Sequence, residues 1–175
     1  MASSNDKSLR ETRLVFYKDD IDSINAVLDA FLKQSATKCA LLVDKDGHMV
    51  TCRGASRSID LDTISALVAG SFAATREMAR LLGEEEFTAL FHQGKSDNIQ
   101  LSLVGERALL TAIFDENTTV GMVRLYASEA AKRLAAIFRR KDAEGPPDTP
   151  PQAPEDTATF RTGAASALDG LFGKS

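Results

Sequence analysis

Cys39, Cys52, His48 and His92 are the residues whose side chains bind soft metals or serve as nucleophile and base near neutral pH. Their spacing contains no pair typical of a zinc site, which gathers ligands in short clusters. A cytosolic redox poise keeps both cysteines as thiols, and they read as buried or half-buried strand residues. His92 falls in a strand-like run with no Cys or Ser close by to activate. The run Glu84-Glu85-Glu86 follows a helix-ending glycine, so its carboxylates read as a solvated corner rather than an acid and base pair. The chain has no P-loop, no Gly-x-Ser-x-Gly elbow, no His-Glu-x-x-His and no Gly-x-Gly-x-x-Gly fingerprint. The expectation is therefore a protein with no catalytic residue, metal or cofactor of its own, and not an enzyme.

Composition narrows the alternatives. The 175 residues suffice for one domain and a tail, and 43% hydrophobic residues can fill a core. A net charge of -4 gives no basic field for nucleic acid or an anionic membrane to engage. No apolar run approaches the roughly 18 residues of a membrane span, and the polar start does not read as a secretory signal, so a cytoplasmic location is expected. All five prolines lie between Pro146 and Pro154. That shift divides the chain into a flexible N-terminus at 1–13, a domain at 14–140, a Pro-rich linker at 141–165 and a short terminal motif at 166–175. In the motif, Leu168, Leu171 and Phe172 share helix-compatible spacing; they either dock in a partner's groove or belong to a frayed end.

Periodicity supplies the elements. Ile21, Ile24, Leu28, Phe31 and Leu32 recur at three and four, which predicts an amphipathic helix over 19–35. Two β-rich runs around Asp46-Gly47 predict a hairpin whose loop has two or four residues; with either, Cys39 and Cys52 are not directly opposite, which argues against a disulfide. A long helix over 60–82 ends at Gly83. On it Ile64, Leu67, Val68, Ser71, Thr75, Met78, Leu81 and Leu82 read as the sheet-facing side. Ala66, Ala69, Gly70 and Ala73 gather on the other side, where a lone surface helix should be charged. Either a second chain covers this small-residue side, or the domain wraps the helix itself. Three strand-like runs, with Ile99, Leu101 and Leu103 alternating with Gln100 and Ser102 in a half-buried pattern, lead to a last helix carrying Val123, Ala127, Ala130, Leu134, Ile137 and Phe138. The order αββαβββα predicts an α+β fold: a five-stranded antiparallel sheet with helices on both faces and a disordered C-terminal tail. A small-ligand sensor is a weaker reading, because no convergent polar set is visible in the sequence.

The segments LVFYKDDIDSINAV, LLVDKDG, LVAGSFAA, LLGEEEF, FHQGKSDNIQLSLVGERALLTAIFD and GMVRL together resemble the bacterial MglB proteins of the roadblock/dynein-light-chain superfamily. The resemblance spans 14–140, and the terminal Asp-Gly-Leu-Phe is similar to the family's short tail motif. It implies a homodimer with sheets joined edge to edge and the second helices side by side. It also implies that this platform binds a Ras-like small GTPase of MglA type and speeds GTP hydrolysis, with GTP and Mg held by that partner. Carried over by position, the platform is Ala66, Ala69, Gly70, Ala73, Arg76 and Glu77, where Thr75-Arg76-Glu77 stands in place of the family's small residues. The rival function is a scaffold that assembles a GTPase or motor complex and leaves turnover unchanged.

Overall fold

The computed structural model describes residues 16, 18–55 and 60–144. The expectations for 1–13, for the linker beyond 144 and for the motif with Leu168, Leu171 and Phe172 lie outside those residues. The elements are α1 (Lys18–Ser35), β1 (Cys39–Asp44), β2 (Met49–Gly54), α2 (Leu61–Leu82), β3 (Ala89–His92), β4 (Asn98–Val104), β5 (Ala108–Phe114) and α3 (Val120–Glu144). They form the expected αββαβββα order with one five-stranded sheet, arranged β2-β1-β5-β4-β3 and antiparallel at every pairing.

The middle strands β1 and β5 are buried along their whole length, because they are paired on both sides and covered on both faces. This explains why CALLVD and ALLTAIF show little polar alternation. Strand β4 departs from the half-buried pattern. Gln100 and Ser102 are buried too, since α3 covers their face. The Gln100 amide is satisfied there: its Nε2 donates to the Leu101 carbonyl at 2.9 Å and its Oε1 accepts from Arg124 Nε at 3.4 Å.

The β1–β2 loop has four residues, with Gly47 at φ 94°. The buried Asp44 carboxylate organises it, accepting the backbone N–H of Asp46 at 3.0 Å and of His48 at 2.8 Å, while the His48 ring lies 3.2 Å away. His48 is thus part of a turn, not of a site.

On one face of the sheet, Ile24, Leu28 and Phe31 of α1 and Val123, Ala127, Leu134 and Phe138 of α3 pack over Ala40, Leu42, Leu110, Ala112 and Phe114. Asp20 at the start of α1 forms an ion pair with Lys141 near the end of α3. The Lys141 ammonium also lies 5.7 Å from the Phe16 ring centre, and Phe16 meets Phe138 at 5.4 Å. This clasp holds the last turns of α3, which runs to Glu144. On the opposite face α2 is the one helix among the described residues, with Val68 and Phe72 on Leu101 and Leu109.

Candidate interaction face on the second helix

The ends of α2 are set by local chemistry. Asp60 is its N-cap: one carboxylate oxygen accepts the Thr63 N–H at 3.1 Å and the other the Thr63 hydroxyl at 2.7 Å. The hydroxyl first, then the backbone N–H, hold the Asp60 carboxyl below the usual range. Gly83 ends the helix in the left-handed region at φ 74°, with its N–H on the Arg80 carbonyl and the Glu84 N–H on that of Ala79.

Between these ends the buried stripe is Ser65, Val68, Ala69, Phe72, Thr75 and Ala79. The hydroxyls of Ser65 and Thr75 cap carbonyls one turn back, at 2.7 and 2.9 Å, which lets them face the sheet without an unmet donor. The helix is therefore rotated relative to the sequence expectation. Leu67 (65% exposed), Met78 (51%), Leu81 (77%) and Leu82 do not face the sheet; they stand outside with Ala66, Gly70, Ala73 and Ala74. The reason is that apolar residues surround this helix, so periodicity alone leaves its phase open, and Phe72 at the centre of the buried stripe decides it. The uncovered side is apolar as expected, but larger and greasier than the small residues alone implied.

The small residues themselves divide. Ala69 is only 7% exposed. The β1–β2 turn lies over it: a Cβ built on Gly47 would come 3.1 Å from the Ala66 Cα and 3.6 Å from the Ala69 Cβ. Ala69 is therefore small because the chain's own turn needs the room, while Ala66 meets the turn through its backbone and its side chain stays exposed. Gly70 is different, since a Cβ there would meet nothing within 4 Å. Glycine inside a helix costs about 1 kcal/mol relative to alanine, and no contact within the described residues calls for it.

Beyond Gly70, Ala73 and Arg76 are exposed and line, with Lys45 and Asp46 of the turn, a cavity of about 210 Å³. Glu77 is exposed and accepts Arg80 Nε at 3.0 Å. Five of the six residues proposed from the sequence thus reach the surface of α2, and Ala69 does not.

The other candidates fall elsewhere. His92 is exposed on the edge strand β3, and Glu84, Glu85 and Glu86 are exposed beyond the Gly83 cap. In the hairpin, Cys39 is level with Gly54 and Cys52 with Leu41, so the cysteines are diagonal; their sulfurs are 3.4 Å apart as free thiols. Burial, then Cys52, push the Cys39 thiol up to about 12. Among the described residues no group of three or more His, Cys, Asp or Glu is placed to hold a metal, and no helix is long and apolar enough to cross a membrane.

A Roadblock/LC7 domain family model matches residues 24–114. The chain is similar to the solved structure of Myxococcus xanthus MglB, at 38% identity and a TM-score of 0.68, over 73% of this chain and 96% of that one. The gliding protein MglB from Thermus thermophilus matches at 35% identity and a TM-score of 0.68, with the same coverage. An MglB structure with tetrameric arrangement matches at 35% and 0.69, again over 73% of this chain and 96% of that one. With a buried stripe on one side of α2, an uncovered apolar side opposite and these likenesses over most of the domain, the chain belongs to the Roadblock/LC7 family, as a roadblock protein of MglB type.

Proposed function

We propose that this chain works as a cytoplasmic homodimer that activates a Ras-like small GTPase of MglA type. The observation that carries the reading is the uncovered apolar side of α2, running from Leu67 past Gly70 to Leu81 and Leu82. Monomers rarely leave a contiguous apolar surface of this kind in water. The MglB resemblance provides two covers for it, a second copy and the GTPase. Strand β3 is an edge of the sheet, and Leu90 on it packs beneath α2. Joining two β3 edges would set two α2 helices side by side on one face of a longer sheet.

Such a protein needs no active site of its own. Phosphoryl transfer is governed by positioning and charge stabilisation, so holding the GTPase's own arginine and glutamine in place is enough. Activators of this class supply up to about 10⁵-fold, roughly 7 kcal/mol of barrier. Mixing the chain with an MglA-type GTPase and GTP tests the proposal: phosphate release rises, whereas a scaffold leaves it unchanged. Arg76 is exposed and is the one cation of the proposed platform, so an inserted arginine is the competing mechanism. Arg76→Ala is expected to keep most of the stimulation; near-complete loss with binding intact would establish the inserted arginine instead. The tail is proposed to bring Leu168, Leu171 and Phe172 to a second place on the bound GTPase through its linker. Unchanged binding and turnover after deletion beyond Lys141 would refute that role.

A further inference from the structure

The flank of α3 that faces β3 and β4 carries a different surface. A cavity of about 380 Å³ opens there, with Arg124, Lys132 and Arg139 along its α3 wall and Gln100, Ser102 and Thr88 opposite. Among the described residues no carboxylate lines it. The cations recur at eight and seven residues, which sets all three on one side of the helix. Their exposed charges have no ion-pair partner among the described residues, and Arg124 makes only the 3.4 Å contact to Gln100. Some cations elsewhere are matched, as Lys38 is by Asp97 and Asp115, Arg53 by both oxygens of Asp29 and Arg80 by Glu77, whereas these three converge on one concavity. Three unmatched positive charges around one concavity, in a chain of net charge -4, form a local field that favours an anion.

The wall behind those charges is built rather than incidental. Gln100 is fully buried, an unusual place for a glutamine, and its Oε1 receives the Arg124 Nε while its Nε2 is tied to the Leu101 carbonyl. The carbonyl oxygen of this amide therefore points at the guanidinium and orients it, leaving the terminal nitrogens of Arg124 available for a bidentate acceptor.

We propose that this groove binds a small molecule through a chain of linked phosphate groups, held by Arg124, Lys132 and Arg139. The shape of the lining selects this class. Along the helix axis the three cations are spread over roughly 22 Å at about 1.5 Å per residue. A single phosphate cannot engage all three, whereas consecutive phosphates present charges in a line to long arms reaching inward. The lining contains no aromatic ring on which a nucleobase or a peptide anchor could stack, and its apolar members are small apart from Leu103. Recognition therefore rests on the phosphate chain, whether it comes as free polyphosphate or as the end of a nucleotide. The hydroxyls of Ser102, Ser128 and Thr88 add donors of the kind phosphate oxygens accept.

The test is calorimetric titration of the full-length chain with tripolyphosphate and, separately, with ATP and GTP, all without magnesium and at physiological ionic strength. One saturable site per chain is expected. Arg124→Ala and Lys132→Ala should each weaken it by about tenfold or more. Arg133→Ala removes a neighbouring exposed charge outside the groove and should leave it unchanged. Circular dichroism on each variant separates lost binding from lost fold. Tighter binding of a nucleotide than of tripolyphosphate identifies a nucleotide as the source; equal or weaker binding identifies the free chain. No saturation at millimolar concentration overturns the proposal, as does equal weakening by Arg133→Ala, the sign of a diffuse charge effect. Binding of acidic peptides or anionic vesicles without tripolyphosphate overturns it as well.

Discussion

The two faces of the sheet are covered unequally. One carries two helices, closed by the Asp20–Lys141 ion pair and the Phe16–Phe138 contact, and its core residues Ile24, Leu28 and Leu134 are fully buried. Among the described residues the other carries α2 alone, with Leu67, Met78, Leu81 and Leu82 turned away from the sheet. A layer of two helices spends its apolar residues inside, while a single helix with apolar residues all round cannot. The proposed function assigns the apolar side of that single helix to other chains. The flank of α3 adds a second contrast, since its uncovered groove is cationic rather than apolar.

This comparison can be broken most sharply on the outer side of α2. Leu67→Glu with Leu81→Glu puts two charges on that side without touching the buried stripe. It is expected to abolish self-association and GTPase stimulation, a loss of up to about 10⁵-fold in turnover, with circular dichroism unchanged. Full stimulation by the double variant would place the working surface elsewhere. The covered face should respond in the opposite sense. Leu28→Ala is expected to cost about 2–5 kcal/mol in denaturant unfolding, whereas Leu81→Ala should stay within about 0.5 kcal/mol when the subunit is monomeric. Equal costs would mean that the two layers are equally closed.

Cys39 reports on the inner half of the α2 layer. It packs with Leu41 and Val43, beside Leu61 at the start of that helix. Its thiol stays neutral in the folded chain up to about 12, against an ordinary value of 9.0. Above pH 9 the unfolded chain gives up a proton that the folded chain retains, so stability falls as pH rises toward 12. Denaturant unfolding should show a loss on the order of 1 kcal/mol by pH 10, and Cys39→Ala should flatten the slope. A smaller effect is expected at Gly70. With open space around it, Gly70→Ala should stabilise an isolated subunit by about 0.5–1 kcal/mol and weaken association. A variant that associates more tightly would show that no second backbone approaches there.

The order of elements was legible because α1 and α3 each carry one clear period and the strands are short β-rich runs bounded by turn residues. Strand β4 was misread in part because the amphipathic alternation of Gln100 and Ser102 says nothing of whether a helix lies over them. The phase of α2 was hidden for the opposite reason: apolar residues on every side left periodicity without a preferred direction. The burial of Ala69 was hidden because sequence cannot show that a turn about 20 residues earlier folds back onto it. The cationic groove was unreadable in the same way, since Gln100 and Arg124 meet only through the fold, although the spacing of Arg124, Lys132 and Arg139 was a usable signal.

Methionine oxidation tests the central claim most directly, because α2 and α3 each present one methionine of similar exposure in the single chain. Met78 is 51% exposed and Met122 is 43% exposed. Peroxide treatment of the full-length protein, read by peptide mass spectrometry, should oxidise Met78 several-fold more slowly than Met122 if other chains cover α2. Equal rates, or faster oxidation of Met78, would contradict that claim.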